Sequence, residues 1–146
     1  MDFQVKAFAD LSVAELHAIY RARVAVFVVE QQCAYQEVDA ADLQALHVFH
    51  MDAGGVAAYC RLIPHEAAVH SGRVLVMPEW RARKLGRDLV AFALETARAR
   101  WPQRAIYAQA QEYLRAFYAS FGFVETSEPY LEDGIAHVDM RLDAPL

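Results

Sequence analysis

The segment from residue 81 to residue 87 has the side chains and the setting of an anion-binding site. Four of its seven residues are cationic, namely Arg81, Arg83, Lys84 and Arg87, although the formal net charge of the chain is -5. An apolar run precedes the segment and an amphipathic helical pattern follows it, which predicts strand, loop and helix. The first N–H groups of a helix lack intrahelical partners and lie at the positive end of its dipole. The segment therefore predicts a polyphosphate site, with a solvated basic turn as the alternative.

A second polar segment, residues 31–42, directly follows a predicted helix. It contains Tyr35, Glu37 and Asp39 within five positions. Loops that carry such side chains frequently contribute to binding sites. The segment is a candidate wall for a polar ligand, and a solvated charged loop is the alternative.

The elements that position the first half of these residues follow from periodicity and capping. Ser12 and Glu15 form the pattern of a capping box before helically spaced apolar residues, which predicts a helix to about residue 30. A glycine pair at residues 54–55 separates two alternating runs and predicts a hairpin. The predicted strands of this half cover residues 4–7, 47–52, 56–63 and 73–77.

The second half begins with a helix that Pro102 ends. The strand that follows is reached by a strand–helix–strand crossover, so it is predicted to run parallel to strand 73–77. A further helix is closed by Gly122 as a left-handed cap. The predicted elements of this half are strand 105–109, helix 113–121 and strands 123–126 and 137–142, the last two joined by a loop at 128–134.

Length and composition set limits on the class of protein. The 146 residues fit a single domain, residues 1–146, and a hydrophobic content of 56% argues against disorder. No apolar run is long enough to span a bilayer and the N-terminal residues lack signal-peptide features, so a cytoplasmic location without membrane contact is expected. Two cysteines without C-x-x-C spacing argue against a disulfide framework. The acidic balance argues against nucleic-acid binding.

The basic segment matches neither standard phosphate motif, since G-x-x-x-x-G-K-[ST] and G-x-G-x-x-G are both absent. Its arrangement of Arg81, Lys84 and Gly86 instead resembles the pyrophosphate loop of the GNAT N-acetyltransferases, Gln/Arg-x-x-Gly-x-Gly/Ala. Tyr118, followed by Gly122 and Phe123, resembles the late signature of that family. Within it, the chain is similar to the ElaA-type acetyltransferases, in the blocks 26–33, 35–39, 58–62 and 127–137.

The resemblance implies an α+β fold of the GNAT acyl-CoA N-acyltransferase type. In that fold a mixed, mostly antiparallel sheet has helices on both faces, and a strand–loop–helix unit holds a pyrophosphate. The predicted element order of this chain agrees with it. Lys84 departs from the family pattern because it stands where the first glycine of the loop is usual.

The resemblance also implies acetyl-CoA as co-substrate, lying between strands 73–77 and 105–109. Backbone groups at Leu75, Val76 and Met77 would bond the pantetheine arm as an added strand does. Backbone and side-chain groups of the loop would hold the pyrophosphate. The expected cofactor-binding residues are thus Leu75, Val76, Met77, Arg81, Arg83, Lys84, Leu85, Gly86, Arg87 and Gln111.

The implied reaction is acetyl transfer to a primary amine by direct attack in a ternary complex. Tyr118 is the candidate general acid for the leaving thiolate, with a core tyrosine as the alternative. Glu37 is the first candidate for the base that deprotonates the amine, and Asp39, His47, His137 and a water chain compete with it. For each histidine a structural role stays open. The expected substrate-binding residues are Tyr35, Asp39, His47 and His137.

Two other functions remain open at this point. A catalytically silent acyl-CoA-binding or regulatory module is favoured only by Lys84, and a metal enzyme would need His47, His50, His65 and Cys60. Arg61 and Asp139 are expected to pair across the sheet. The acceptor is a small-molecule or protein amine, and a homodimer is one expectation for the assembly.

Overall fold

The computed structural model describes residues 2–145, which form a mixed sheet of eight strands. The strands lie in the order β1-β2-β3-β4-β5-β8-β6, with β7 also paired to β8. Every pair is antiparallel except β4 and β5, which run parallel as the crossover predicts. The strands are β1 Gln4–Ala7, β2 Leu46–Asp52, β3 Gly55–Pro64, β4 Ala68–Val76, β5 Ala105–Gln111, β6 Val124–Glu125, β7 Tyr130–Glu132 and β8 Ile135–Leu142.

One face of the sheet is covered by helix α1, Val13–Arg23, and its continuation as a π-helix, Val24–Glu30. The predicted capping box is confirmed: Glu15 N–H donates to Ser12 Oγ at 3.0 Å, and Ser12 N–H donates to Glu15 Oε1 at 2.8 Å. This helix packs only on β2, β3 and the end of β4, through a core that contains Ile19, Ala22, Val26, Phe27, Phe49, Val56, Tyr59 and Leu75. The same face of β5 and β8 lies beyond this core.

The opposite face is covered by helix α2, Leu85–Arg100, and the short helix α3, Arg115–Ala119. Its larger core includes Leu89, Val90 and Leu94 of α2 against Val48, Cys60, Val69, Ile106, Val138 and Met140 of the sheet. Helices on both faces of a mostly antiparallel mixed sheet confirm the predicted fold class. No helix among residues 2–145 combines the length and the apolar character that a bilayer crossing requires.

Three predicted elements differ from the structure. The strand predicted at 73–77 begins at Ala68, because β4 covers Ala68–Val76. The helix predicted at 113–121 is shorter, because Glu112–Leu114 forms a separate 3₁₀ turn before α3. The loop predicted at 128–134 contains β7, which forms a hairpin with β8 through Asp133 and Gly134, at φ of 52° and 76°. Two successive residues with positive φ are typical of the tight turns that suit hairpins.

Candidate active-site cleft

The candidate site is a cleft of about 750 Å³ that opens where β4 and β5 separate. These strands pair only from Ala68 with Ala105 to Ser71 with Ala108. Beyond that point Gly72–Val76 forms one wall of the cleft and Gln109–Gln111 lies in the other. The unpaired edge of β4 is therefore available to an extended ligand.

The backbone of β4 presents alternate residues to this cleft. Met77 N–H donates to the Ala57 carbonyl of β3 at 2.9 Å. Since backbone groups alternate in direction along a strand, Leu75 also faces β3, whereas Val74 and Val76 face the cleft. Of the predicted residues 75–77, only Val76 thus presents its backbone to a ligand. Leu75 lines the cleft through its side chain.

The basic loop adopts two left-handed backbone conformations, at Ala82 with φ 68° and at Lys84 with φ 58°. Lys84 precedes α2 directly and is its N-cap. No hydrogen bond within residues 2–145 uses the N–H groups of Leu85, Gly86 or Arg87. Three donors at the positive end of a 16-residue helix are thus available to an anion.

The four cations of the loop are differently engaged. Arg81 donates to both oxygens of Glu30 at 2.6 and 2.9 Å, and its Nε donates to the Val76 carbonyl at 2.9 Å. Arg83 stacks over the Trp80 ring at 5.0 Å, and Arg87 donates to Ser120 Oγ at 2.8 Å. Among residues 2–145, Arg81 is the one cation of this loop that pairs with a carboxylate, that of Glu30. Arg83, Lys84 and Arg87 keep their charges for a ligand.

Tyr118 lies at the end of α3 and lines the cleft. Its ring packs edge-on against Phe117 and Phe123, and only 5% of the residue is exposed. Its hydroxyl makes no hydrogen bond to another residue of the described chain. Burial raises the pKa of this phenol above its ordinary value. The hydroxyl is therefore a protonated donor whose hydrogen bond is free for a ligand.

Glu37 is buried and does not line the cleft, contrary to its predicted role as base. It pairs with Arg23 Nε at 2.8 Å and with Arg73 Nε at 2.5 Å. Tyr35, which does line the cleft, donates its hydroxyl to Glu37 Oε1 at 3.2 Å. Both guanidinium groups occupy this carboxylate and it lies outside the cleft, so Glu37 is poorly placed to receive a proton from a bound amine.

Asp39 also lines the cleft and is engaged there. Arg61 donates to both of its oxygens, at 2.7 and 3.0 Å, and this interaction lowers the pKa of Asp39. Arg61 also donates to Asp42 at 2.8 Å. The predicted Arg61–Asp139 pair is wrong, since Asp139 instead accepts from the Tyr130 hydroxyl at 2.5 Å.

His47 is a core residue with no exposed surface, so its predicted role in substrate binding is wrong. One ring nitrogen, Nε2, lies 2.9 Å from the Asp42 carbonyl and the other, Nδ1, lies 2.7 Å from the Tyr59 hydroxyl. Because a carbonyl can only accept, Nε2 carries the proton and Nδ1 accepts from Tyr59. Burial lowers the pKa of His47 and favours this neutral form.

His137 of β8 does line the cleft, opposite the β4 wall. Its Nδ1 lies 2.7 Å from the Ile135 carbonyl and is therefore the protonated nitrogen. Nε2 then carries a lone pair and makes no hydrogen bond within residues 2–145. Gln111, the predicted cofactor residue, is its register partner on β5 and also lines the cleft. Of the predicted bases, His137 has the most available acceptor nitrogen.

Several cleft residues lie outside the predicted set. Glu30 and Cys33 line the β4 side, and Gln109 and Glu132, which are hydrogen-bonded to each other, line the β5 side. The Asp-Gly pair before β8 was a signal for the hairpin that places Glu132, whereas Glu30 had no local signal. Among residues 2–145, no three His, Cys, Asp or Glu side chains are grouped closely enough to hold a metal ion.

Comparison with known proteins adds an independent observation. A sequence model of the family described as "Acetyltransferase (GNAT) domain" matches residues 10–144. The chain is 45% identical to a UPF0039 protein of Schizosaccharomyces pombe, over 98% of this chain and 97% of that protein. It is 39% identical to ElaA of Escherichia coli, over 96% of this chain and 95% of ElaA.

Two solved structures share the fold over nearly their full length. The crystal structure of Escherichia coli ElaA superposes with a TM-score of 0.93 at 38% identity, covering 97% of this chain and 99% of that one. An acyl-CoA N-acyltransferase from Pseudomonas aeruginosa superposes with a TM-score of 0.91 at 42% identity, with the same coverage. The matched region of the chain contains both the basic loop and Tyr118.

Proposed function

This chain belongs to the GNAT acetyltransferase family, and on that premise we propose that it transfers an acetyl group from acetyl-CoA to a primary amine. The acceptor is a small molecule or a protein amine, met in the cytoplasm. The observation that carries the proposal is Tyr118, whose hydroxyl has no partner among residues 2–145 and lies in a cleft that begins at the proposed anion site. In this proposal, the groups that bind the two substrates and the group that delivers the proton all belong to one cleft.

The cofactor half of the cleft fits a CoA thioester. The N–H groups of Leu85, Gly86 and Arg87 would receive the pyrophosphate, and the side chains of Arg83 and Lys84 would supply positive charge. The edge of β4 would bond the pantetheine through Val74 and Val76. Acetyl-CoA supplies an activated acyl carbon, which a neutral amine can attack.

Tyr118 would act on the leaving group of that reaction. As the new C–N bond forms and the C–S bond breaks, the CoA sulfur gains negative charge. The Tyr118 hydroxyl would donate its proton to this sulfur, and burial keeps the phenol protonated until then. The nitrogen, which becomes positively charged as it bonds to the acyl carbon, releases one proton to solvent to form the amide. The phenolate recovers a proton from solvent before the next turnover.

The amine must lose a proton because its ammonium form has no lone pair. His137 Nε2 is the acceptor that this proposal assigns, directly or through one water, since Nδ1 is already committed to Ile135. Glu37 is left out of this role because its ion pairs with Arg23 and Arg73 would have to break first.

The conformation of Lys84 supports the enzyme over the silent module in this proposal. Lys84 adopts a left-handed conformation that glycine takes readily, so lysine here is compatible with a backbone form that would suit the glycine of the family pattern. We therefore expect cofactor binding and turnover together.

The test is titration calorimetry with acetyl-CoA, CoA and dephospho-CoA, followed by turnover of Tyr118→Phe on an amine library. We expect Tyr118→Phe to reduce kcat by about 100-fold while its Kd for acetyl-CoA stays within about twofold. Tight binding of acetyl-CoA without transfer to any amine would favour the silent module. Wild-type turnover by Tyr118→Phe would remove the assigned acid.

A further inference from the structure

Six charged side chains form a closed ring of alternating sign beside the cleft. Arg23 has no exposed surface, and the side chains of Glu37, Asp42 and Arg61 are between 1% and 6% exposed. The contacts in order are Arg23–Glu37 at 2.8 Å, Glu37–Arg73 at 2.5 Å, Arg73–Asp39 at 3.4 Å, Asp39–Arg61 at 2.7 Å, Arg61–Asp42 at 2.8 Å and Asp42–Arg23 at 2.8 Å.

The ring joins four parts of the chain. Arg23 comes from α1, Arg61 from β3 and Arg73 from β4, and the three carboxylates come from the segment 37–42. Removing four charges from water is unfavourable, and well-packed apolar residues commonly match the stability of a buried ion pair. Arg73 and Asp39 remain partly exposed. The closed arrangement therefore indicates a requirement for specific geometry at this place.

The backbone conformation of Arg73 indicates which geometry the ring of charges holds. Arg73 has φ 53°, a left-handed conformation that disfavours residues with a Cβ, although Gly72 stands next to it without a positive φ. The register of β3 and β4 shifts at this point, between Tyr59 and Arg61. Ser71, two residues earlier, is the last residue of β4 that pairs with β5. The strained residue lies where the cleft opens.

A glycine at position 73 would adopt the positive φ more easily, but it would lack the contacts that the Arg73 side chain makes. It contacts Glu37 and Asp39 and covers the Tyr35 ring at 5.4 Å. These contacts tie the strand to the segment that carries Tyr35 and Asp39, both of which line the cleft. The ring of six charged side chains thus connects the backbone conformation of β4 to the cleft wall that carries Tyr35 and Asp39.

We propose that Arg73 is a positioning residue, and that the ion-pair ring uses it to hold the β4 bulge and the 33–39 wall in the form that the reaction needs. The part of this inference that concerns turnover rests on the proposed acetyl transfer. The part that concerns the wall does not, because it can be measured without any substrate.

The structural test uses Cys33, which lies on this wall and is 9% exposed. Cys60 is fully buried and serves as the unreactive thiol in the same molecule. Arg73→Gly accepts the positive φ but leaves the ring open. We expect a thiol reagent to label Cys33 about tenfold faster in this variant, since local opening becomes easier. Low millimolar guanidinium chloride, but not sodium chloride, should restore slow labelling by filling the vacated position.

The functional test uses the same variant well below its Tm. We expect the kcat of Arg73→Gly to fall by roughly 100-fold, as a small misplacement of an active-site wall would cause. Guanidinium should recover part of this loss, and Arg73→Lys should retain part of the wild-type rate because it keeps a cation beside Glu37. Lys6→Ala, which removes the half-buried Lys6–Glu15 pair far from the cleft, should change neither turnover nor labelling.

Two results would overturn the inference. One is wild-type labelling of Cys33 in Arg73→Gly, and the other is a faster labelling rate that guanidinium leaves unchanged. If the wild-type protein transfers no acetyl group at all, the proposed function fails, and the labelling experiment still decides the role of the ring.

Discussion

Lys84 shows how one side chain can replace a glycine at a conformational cost. Its φ of 58° lies in the left-handed region, where residues with a Cβ are less stable by about 1–2 kcal/mol. The side chain stands at the N-terminus of α2 beside the three unpartnered N–H groups of the anion site. A cation there would strengthen phosphate binding.

The substitution Lys84→Gly separates these two effects. We expect the free energy of unfolding to rise by about 0.5 kcal/mol, since relief of backbone strain exceeds the entropy that glycine adds to the unfolded chain. Acetyl-CoA should bind roughly threefold to fivefold more weakly, because an exposed ion pair contributes up to about 1 kcal/mol. Urea unfolding and calorimetry measure the two quantities. Equal or tighter acetyl-CoA binding would assign Lys84 no role in the site.

The proposed role of His137 predicts the effect of its removal. In His137→Gln, kcat/KM should fall by about 100-fold, because the amine loses the acceptor that Nε2 would supply. Glu37→Gln is the comparison, and steady-state kinetics of both variants measure the effect. A loss of kcat/KM in Glu37→Gln that His137→Gln does not show would restore Glu37 as the base.

At the scale of elements, a single ion pair joins the π-helix to the basic loop. Arg81 contacts Glu30 at the end of that helix and, through Nε, the Val76 carbonyl on the open edge of β4. Its hydrogen bonds to Glu30 lower the pKa of that carboxyl. The proposed cofactor, bound along β4, would meet this pair at the edge of the cleft and would compete for both Arg81 and the Val76 carbonyl.

Glu30→Gln should therefore tighten acetyl-CoA binding. Without its carboxylate partner Arg81 is free for a phosphate, and we expect a Kd about threefold lower than in the wild type, again within the range of an exposed pair. Glu79→Gln removes a carboxylate that lies two residues before Arg81 in the sequence and makes no ion pair within the described chain. Calorimetry at low salt should show a larger gain in acetyl-CoA affinity for Glu30→Gln than for Glu79→Gln. Equal gains in affinity would mean that only the net charge of the protein matters.

The elements differ in how far sequence could predict them. The capping box at Ser12 and the crossover from β4 to β5 follow from local patterns, so both were predicted correctly. The ion-pair ring could not be predicted, because its carboxylates and arginines meet only after four elements pack together. The left-handed conformation of Arg73 was equally inaccessible, since the neighbouring Gly72 is the better sequence candidate for it.

In the candidate site, too, some features could be predicted from the sequence and others could not. The resemblance to the GNAT family, carried by two motifs, implied that Tyr118 and the basic loop share one cleft, and Tyr118, Arg81 and Gly86 do line it. The two histidines, in contrast, have similar sequence settings at the start of strands. His47 is buried against Tyr59, the Asp42 carbonyl and the Phe8 ring, whereas His137 faces the cleft. Both histidines lie on the face of the sheet that carries α1, so the choice between them depends on which strands of that face the helix core includes, namely β2 to β4 but not β8. The sequence pattern of a strand does not contain that information.

At the scale of the whole molecule, buried charges predict how stability depends on pH. Burial lowers the pKa of His47, so its contribution is full above the unfolded value of 6.5 and decreases as the pH falls through the lower folded value. Arg61 lowers the pKa of Asp39. For Asp42, burial opposes the effect of Arg23 and Arg61, and the pKa is still lowered.

The free energy of unfolding should therefore decrease in two steps on acidification. The first begins below the ordinary histidine value of 6.5, and the second begins below the ordinary aspartate value of 3.8 as the ring is protonated. Asp39→Asn should diminish only the second step. Urea unfolding at a series of pH values measures both. A stability that stays constant down to about pH 2 would contradict the ionised ring.

The short parallel ladder between β4 and β5 has a consequence for amide hydrogen exchange. Four register pairs join the two halves of the sheet, and beyond Ser71 the amides of Val74 and Val76 face the cleft. In the ligand-free protein these two amides should exchange quickly with solvent deuterium, although they lie in the middle of the sheet. A bound pantetheine arm would protect both, so that the ligand completes the ladder that the protein leaves open.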